Sequence, residues 1–140
     1  MLSILDVLNY FEELNSSDDL GFENFYCGKL DNKKEKALGF YDLKNSNPYI
    51  LPIGGISEKT VNELYVSILI HFTNDYIETE QSSYNLYNKI IELCEMKDII
   101  INDYNICYFQ LLSGNEDVGT DDNGIYERVI QFKIEYKNKK

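Results

Sequence analysis

The chain has 140 residues, 44% of them hydrophobic and 26% charged. That is the make-up of one globular domain, residues 1–140, large enough to bury a real core, and it excludes an intrinsically disordered chain. A net charge of −11 argues against tight, sequence-independent binding to phosphate backbones, which takes clustered cations.

Tyrosine is abundant, with 12 copies and no tryptophan. Such an excess suits extensive half-buried contact surface, and it equally suits a compositional bias of the source proteome. Cys27, Cys94 and Cys107 are odd in number, far apart and without metal-ligand spacing, so buried, reduced thiols of a cytoplasmic protein are expected. No signal peptide or membrane span is read; the apolar run Ile68–Phe72 is too short for either.

In chain order, Ser3–Leu14 carries apolar residues at Ile4, Leu5, Val7, Leu8, Phe11 and Leu14, the pattern of an amphipathic helix. Ser3 and Asp6 form a capping box at its start, and the polar run from Asn15 to Asp19 predicts its end. Glu23–Leu30 and Ala37–Leu43 read as two strands joined by a charged turn, which predicts a β-hairpin. Lys44–Ser57 is the longest irregular stretch. It contains Tyr49, Ile50, Leu51, Pro52 and Ile53, apolar residues on a loop that are either tucked against their own domain or presented to a partner.

Asn62–Thr73 is the stretch around which the rest is organised. Leu64, Val66, Ile68, Ile70 and Phe72 alternate with mixed residues, predicting a central strand with one fully buried face. Ile77–Met96 reads as the longest helix, with Tyr84, Tyr87, Ile91 and Cys94 along one stripe widened by Leu86, Ile90 and Leu93. A short extended piece is expected at Ile99–Ile101, and a strand at Tyr104–Leu112. Ser113–Gly124 reads as an acidic loop. Ile125–Lys137 then alternates cleanly, with Ile130, Phe132, Ile134 and Tyr136 on one side, and such a strand can run past its neighbours to pair with another chain. Residues 137–140 form a basic tail expected to fray. The order helix, two strands, loop, strand, helix, two strands (α-β-β-β-α-β-β) predicts an α+β fold: a mostly antiparallel sheet with two helices packed on one face.

Candidate chemistry is sparse. Glu135-Tyr136-Lys137 matches the acid-x-lysine half of a metal-dependent nuclease motif, in which both side chains share a strand face beside a divalent cation. The partner acid is missing, because the strand where it belongs reads Ile68-Leu69-Ile70. Glu116, Asp117, Asp121 and Asp122 lack the spacing of a calcium loop, and Asp122-Asn123-Gly124 is turn chemistry. His71 has no ligand or base partner nearby in sequence, so a structural role is expected. Gly54-Gly55 is not followed by the Lys-Ser or Lys-Thr of a phosphate loop. No catalytic, cofactor or metal residue is therefore assigned.

Several segments together do carry a resemblance. FYCGKL, ALGFYDL, LPIGG, the strand VNELYVSILIH, a tyrosine-rich helix and the segment from Gly119 through GIYERVIQF follow one another over Phe25–Tyr136. In this the chain resembles the minor capsid or tail-terminator proteins of long-tailed phages and phage-derived particles. The resemblance implies a structural subunit without catalysis or cofactor. Such subunits assemble into a homo-oligomeric ring, usually of six, that ends the tail tube and offers a surface to the head–tail connector. It further implies a place in the virion tail after assembly in the host cytoplasm, with DNA passing an acidic lumen without being held and no membrane contact. Loop character and exposure nominate Tyr49, Ile50, Leu51, Pro52, Ile53, Asp121, Asp122 and Tyr126 as the surfaces that meet partners. The alternatives are a small nuclease using Glu135 and Lys137, and an adaptor that binds a host protein through its tyrosines.

Overall fold

In the computed structural model, which describes residues 1–28, 35–43 and 61–137, the capping box of Ser3 and Asp6 starts α1 (Ile4–Asp18) as expected. The helix runs one turn further than its apolar pattern, and Asp19 ends it in the left-handed conformation at φ 51°, ψ 58°. Val7, Leu8 and Phe11 are its buried face. Strand β1 (Asn24–Cys27) follows, then β2 (Ala37–Asp42), β3 (Val61–His71), helix α2 (Tyr76–Glu95), β4 (Ile100–Ile101), β5 (Tyr104–Thr120) and β6 (Tyr126–Lys137). The strands form one sheet in the order β1-β2-β3-β6-β5-β4, antiparallel at every pairing except the first.

That exception corrects the expected hairpin. β1 and β2 lie side by side but run parallel, Asn24 opposite Ala37 and Cys27 opposite Phe40. Glu23 and Asn24 both donate their N–H to the Lys36 carbonyl, at 2.8 and 3.3 Å, so the two strands start at the same end. Proximity of two strand-like segments in sequence made the hairpin the natural reading; direction is set by these bonds.

β3 is the central strand its alternation describes. Val66, Ile68 and Ile70 are fully buried, and Phe72 continues the same face just past the strand. They join Phe40, Ile130, Phe132 and Ile134 of the neighbouring strands and Leu86, Ile90 and Leu93 of α2 in one core cluster that runs from Leu2 to Tyr136. Phe11 of α1 packs its ring 5.5 Å from Phe40 and 5.9 Å from Phe132, which fixes the first helix over the middle of the sheet.

Helix α2 turns inward the side of its expected stripe that carries Leu86, Ile90 and Leu93, extended to Thr79 and Ser83. Thr79, Ser83, Leu86, Ile90 and Leu93 are buried, whereas Tyr84 is exposed and Tyr87, Ile91 and Cys94 flank the contact. Thr79 and Ser83 can be buried because their hydroxyls donate to helix carbonyls, of Asp75 at 2.9 Å and Glu80 at 3.0 Å. The thiols also depart from expectation: Cys27 and Cys107 are exposed and only Cys94 is partly buried.

The acidic stretch after Leu112 is strand, not loop. β5 continues to Thr120, paired with β6 through four register shifts. At each shift β5 inserts an extra residue, which bends the strand and strengthens its twist. β6 in turn has neighbours on both sides, β3 from Glu127 to Lys137 and β5 from Tyr126 to Lys137. It is an interior strand, and the expectation that it reaches out to another chain is overturned. No described helix is long and apolar enough to cross a membrane.

Candidate assembly surfaces

The described residues present three surfaces: the tip where β5 turns into β6, the sheet face opposite the helices, and the two outer edges of the sheet.

At the tip, Asp121 organises the turn. Its Oδ1 accepts the N–H of Asn123 at 2.8 Å and of Ile125 at 2.9 Å, and its Oδ2 lies 2.7 Å from His71 Nε2. Gly124, at φ 79°, supplies the left-handed residue this tight return needs. Burial by itself pushes the Asp121 carboxyl up, but the bonds from His71 and from the Ile125 and Asn123 N–H groups outweigh it and hold the group below its ordinary value. Glu127, on the next strand and paired in register with His71, is shifted the other way by burial. Tyr126 sets its ring edge-on to Tyr76 of α2 at 5.3 Å. Arg128 is buried, its guanidinium 5.6 Å from the Tyr76 ring and 3.9 Å from Asp117.

Asp121, Asp122 and Tyr126 are thus brought together, but in unequal roles. Asp122 is exposed, Tyr126 is half-buried, and Asp121 spends its carboxylate on its own turn. Tyr49, Ile50, Leu51, Pro52 and Ile53 lie outside the described residues. The contacts of His71 with Asp121 and of Arg128 with Tyr76 were invisible in sequence, since 50 and 52 residues separate the partners. The partner missing beside His71 in sequence is supplied by the hairpin tip.

On the face opposite the helices, Glu135 and Lys137 do share one side of β6. Glu135 stands opposite Glu63 of β3 and takes the hydroxyl of Tyr108, which raises the Tyr108 phenol above its ordinary value. Lys133 bonds Glu63 at 3.1 Å and lies 5.9 Å from the Tyr65 ring. The acids of this face are engaged with a lysine and a phenol, and among the described residues no three His, Cys, Asp or Glu side chains converge as metal ligands do. Among the described residues one concavity lies between α1 and β4, lined by Asp6, Asn9, Tyr10, Glu13, Ile100, Ile101 and Asn102.

Fold and surfaces define an α+β subunit that offers strand edges, a braced hairpin tip and a tyrosine-bearing sheet face. Comparison with family models gives the class its identity: residues 8–138 match the bacteriophage tail terminator protein family, and the chain belongs to it. It is a structural protein of a phage tail. No curated protein matches the chain.

Proposed function

We propose that the chain is the subunit of a ring, six copies in the simplest case, which closes the finished tail tube and presents a surface to the head–tail connector. The observation that carries this reading is the family match over nearly the whole chain. The arrangement of side chains supports it, because Asp121, Glu135, Glu63 and Arg128 are all occupied in bracing the subunit itself. A role of this kind needs surfaces and no reacting group.

In this role the exposed tip around Asp122 and Tyr126 and the segment Tyr49–Ile53 meet neighbouring copies, the tube protein or the connector. The acidic charge suits a lumen through which DNA passes without adhering. Particles made without this protein are expected to carry tails of irregular length and unjoined heads, and electron microscopy reads both. Uniform tails joined to heads in its absence would end the proposal. Ile50→Asp and Ile53→Asp are expected to leave the fold intact and weaken assembly; unfolding would place both side chains in the subunit's own core.

A further inference from the structure

The sheet ends in two unlike edges. Among the described residues β1 pairs only with β2 on one side; on the other, β5 pairs with β4 at Tyr104 and Asn105, and Ile106 adds a bond to Ile99. Beyond Ile106 the outer side of β5 has no strand against it among the described residues. Natural sheets defend such edges with charge, proline or bulges, because open backbone groups recruit another strand. The distal half of β5 is defended: three of its four register shifts lie after Leu111, and Glu116 and Asp117 add charge. The segment Tyr108–Leu111 is not. It pairs with β6 in unbroken register and contains no charged residue or proline. The same holds for β1, Asn24–Cys27, whose four residues are uncharged and in unbroken register with β2.

We propose that these two undefended edges are made for each other: β1 of one copy adds to β5 of the next at Tyr108–Leu111, so that one sheet continues from subunit to subunit. This rests on the ring reading and specifies its contact. Direction supports it. β1 and β2 run parallel, and each later pairing reverses, which leaves β1 and β5 pointing opposite ways in one sheet. A neighbour set edge to edge in the same orientation therefore pairs antiparallel, the more favourable ladder. Polarity supports it too. The inner ladder of β1 uses the N–H groups of Asn24 and Gly28, bonded to the Lys36 and Phe40 carbonyls, so by the two-residue period Phe25 and Cys27 turn theirs outward. Two different patches meeting head to tail form the heterologous contact from which closed rings are built.

The register has a readable consequence. With β4 blocking the start of β5, antiparallel addition keeps every side chain on its own face when Phe25 stands opposite Phe109, both on the core side, and Tyr26 opposite Tyr108. Cys27 then lies beside Cys107, and both thiols are exposed in the single subunit. The test treats the full-length protein, alone at high concentration and on purified tail tubes, with a short bis-maleimide and maps the linked peptides. Links between Cys27 and Cys107 are expected, in a ladder of dimers, trimers and larger species. Cys27→Ser or Cys107→Ser alone should remove the ladder and leave assembly, read by light scattering, unchanged. Assembly with no such link overturns edge pairing and leaves the ring standing. Links of Cys107 to Cys107 that stop at dimers overturn it as well, in favour of a two-fold contact. A monomer both in solution and on tubes overturns edge and ring together.

Discussion

His71 is almost completely buried, 1% exposed, and its Nε2 sits 2.7 Å from the Oδ2 of Asp121, fifty residues on. The pair ties the end of the central strand to the turn between β5 and β6. Asp121→Ala removes three bonds to one carboxylate and leaves a buried imidazole without this acceptor. A loss of about 2–3 kcal/mol is expected, since bonds to charged groups are worth roughly 1.5–3 kcal/mol each and part of the loss is recovered by water at the tip. Urea unfolding measures it. A change within about 0.5 kcal/mol, the range of neutral surface substitutions, would show that the turn is held by other means.

Acid titration should separate two carboxylates of this region. Asp121 is depressed in the folded state, so its contribution is complete above the ordinary aspartate value of 3.8 and is lost as pH falls below it. Glu127 is raised by burial above its ordinary 4.5, so it costs stability at neutral pH and gives it back as pH falls through its folded value. Stability is expected to rise on mild acidification above pH 4.5 and to fall below 3.8. Glu127→Gln should flatten the rise and keep the fall, as followed by thermal melts across the acid range.

Asp75 caps α2 by accepting the N–H groups of Ile77 and Glu78, at 3.0 and 3.2 Å. Asp75→Ala is expected to cost about 1 kcal/mol, and Asp75→Ser to restore most of it. Equal losses for both variants would mean that charge at the helix start matters more than the bond.

Phe132 lies fully buried between Phe11 and Phe109, with ring centres 5.9 and 5.7 Å away. Phe132→Leu should therefore destabilise, and Phe132→Ala should lose about 3–5 kcal/mol. Leu112, exposed on β5, should tolerate Ala within about 0.5 kcal/mol. Circular dichroism with denaturant resolves the contrast, and equal losses would place Leu112 in the core.

The parts of this fold legible in sequence are those where side-chain period and burial coincide. Val66, Ile68 and Ile70, and Ile130, Phe132 and Ile134, alternate because β3 and β6 pair with each other in unbroken register. Ser3 and Asp6 were readable because capping is local. β5 is legible only to Leu112 because beyond it Ser, Gly, Asn and acidic residues on a mostly exposed stretch leave no apolar period to mark the strand. The inward face of α2 is legible at Leu86, Ile90 and Leu93 but not at Thr79 and Ser83, which look polar although their hydroxyls are satisfied inside the helix. The parallel pairing of β1 with β2, and His71 with Asp121, depend on contacts that no local pattern encodes.

The interior position of β6 has a consequence for synthesis. It leaves the ribosome after the other described strands, yet it separates β3 from β5, so a growing chain that ends before Tyr126 holds two half-sheets with facing open margins. The nascent protein cannot finish its hydrophobic interior until Ile130, Phe132, Ile134 and Tyr136 slot between them. Completion of this sheet is thereby deferred until β6 has emerged, and chaperone protection of that gap matters most while β6 is still inside the exit tunnel.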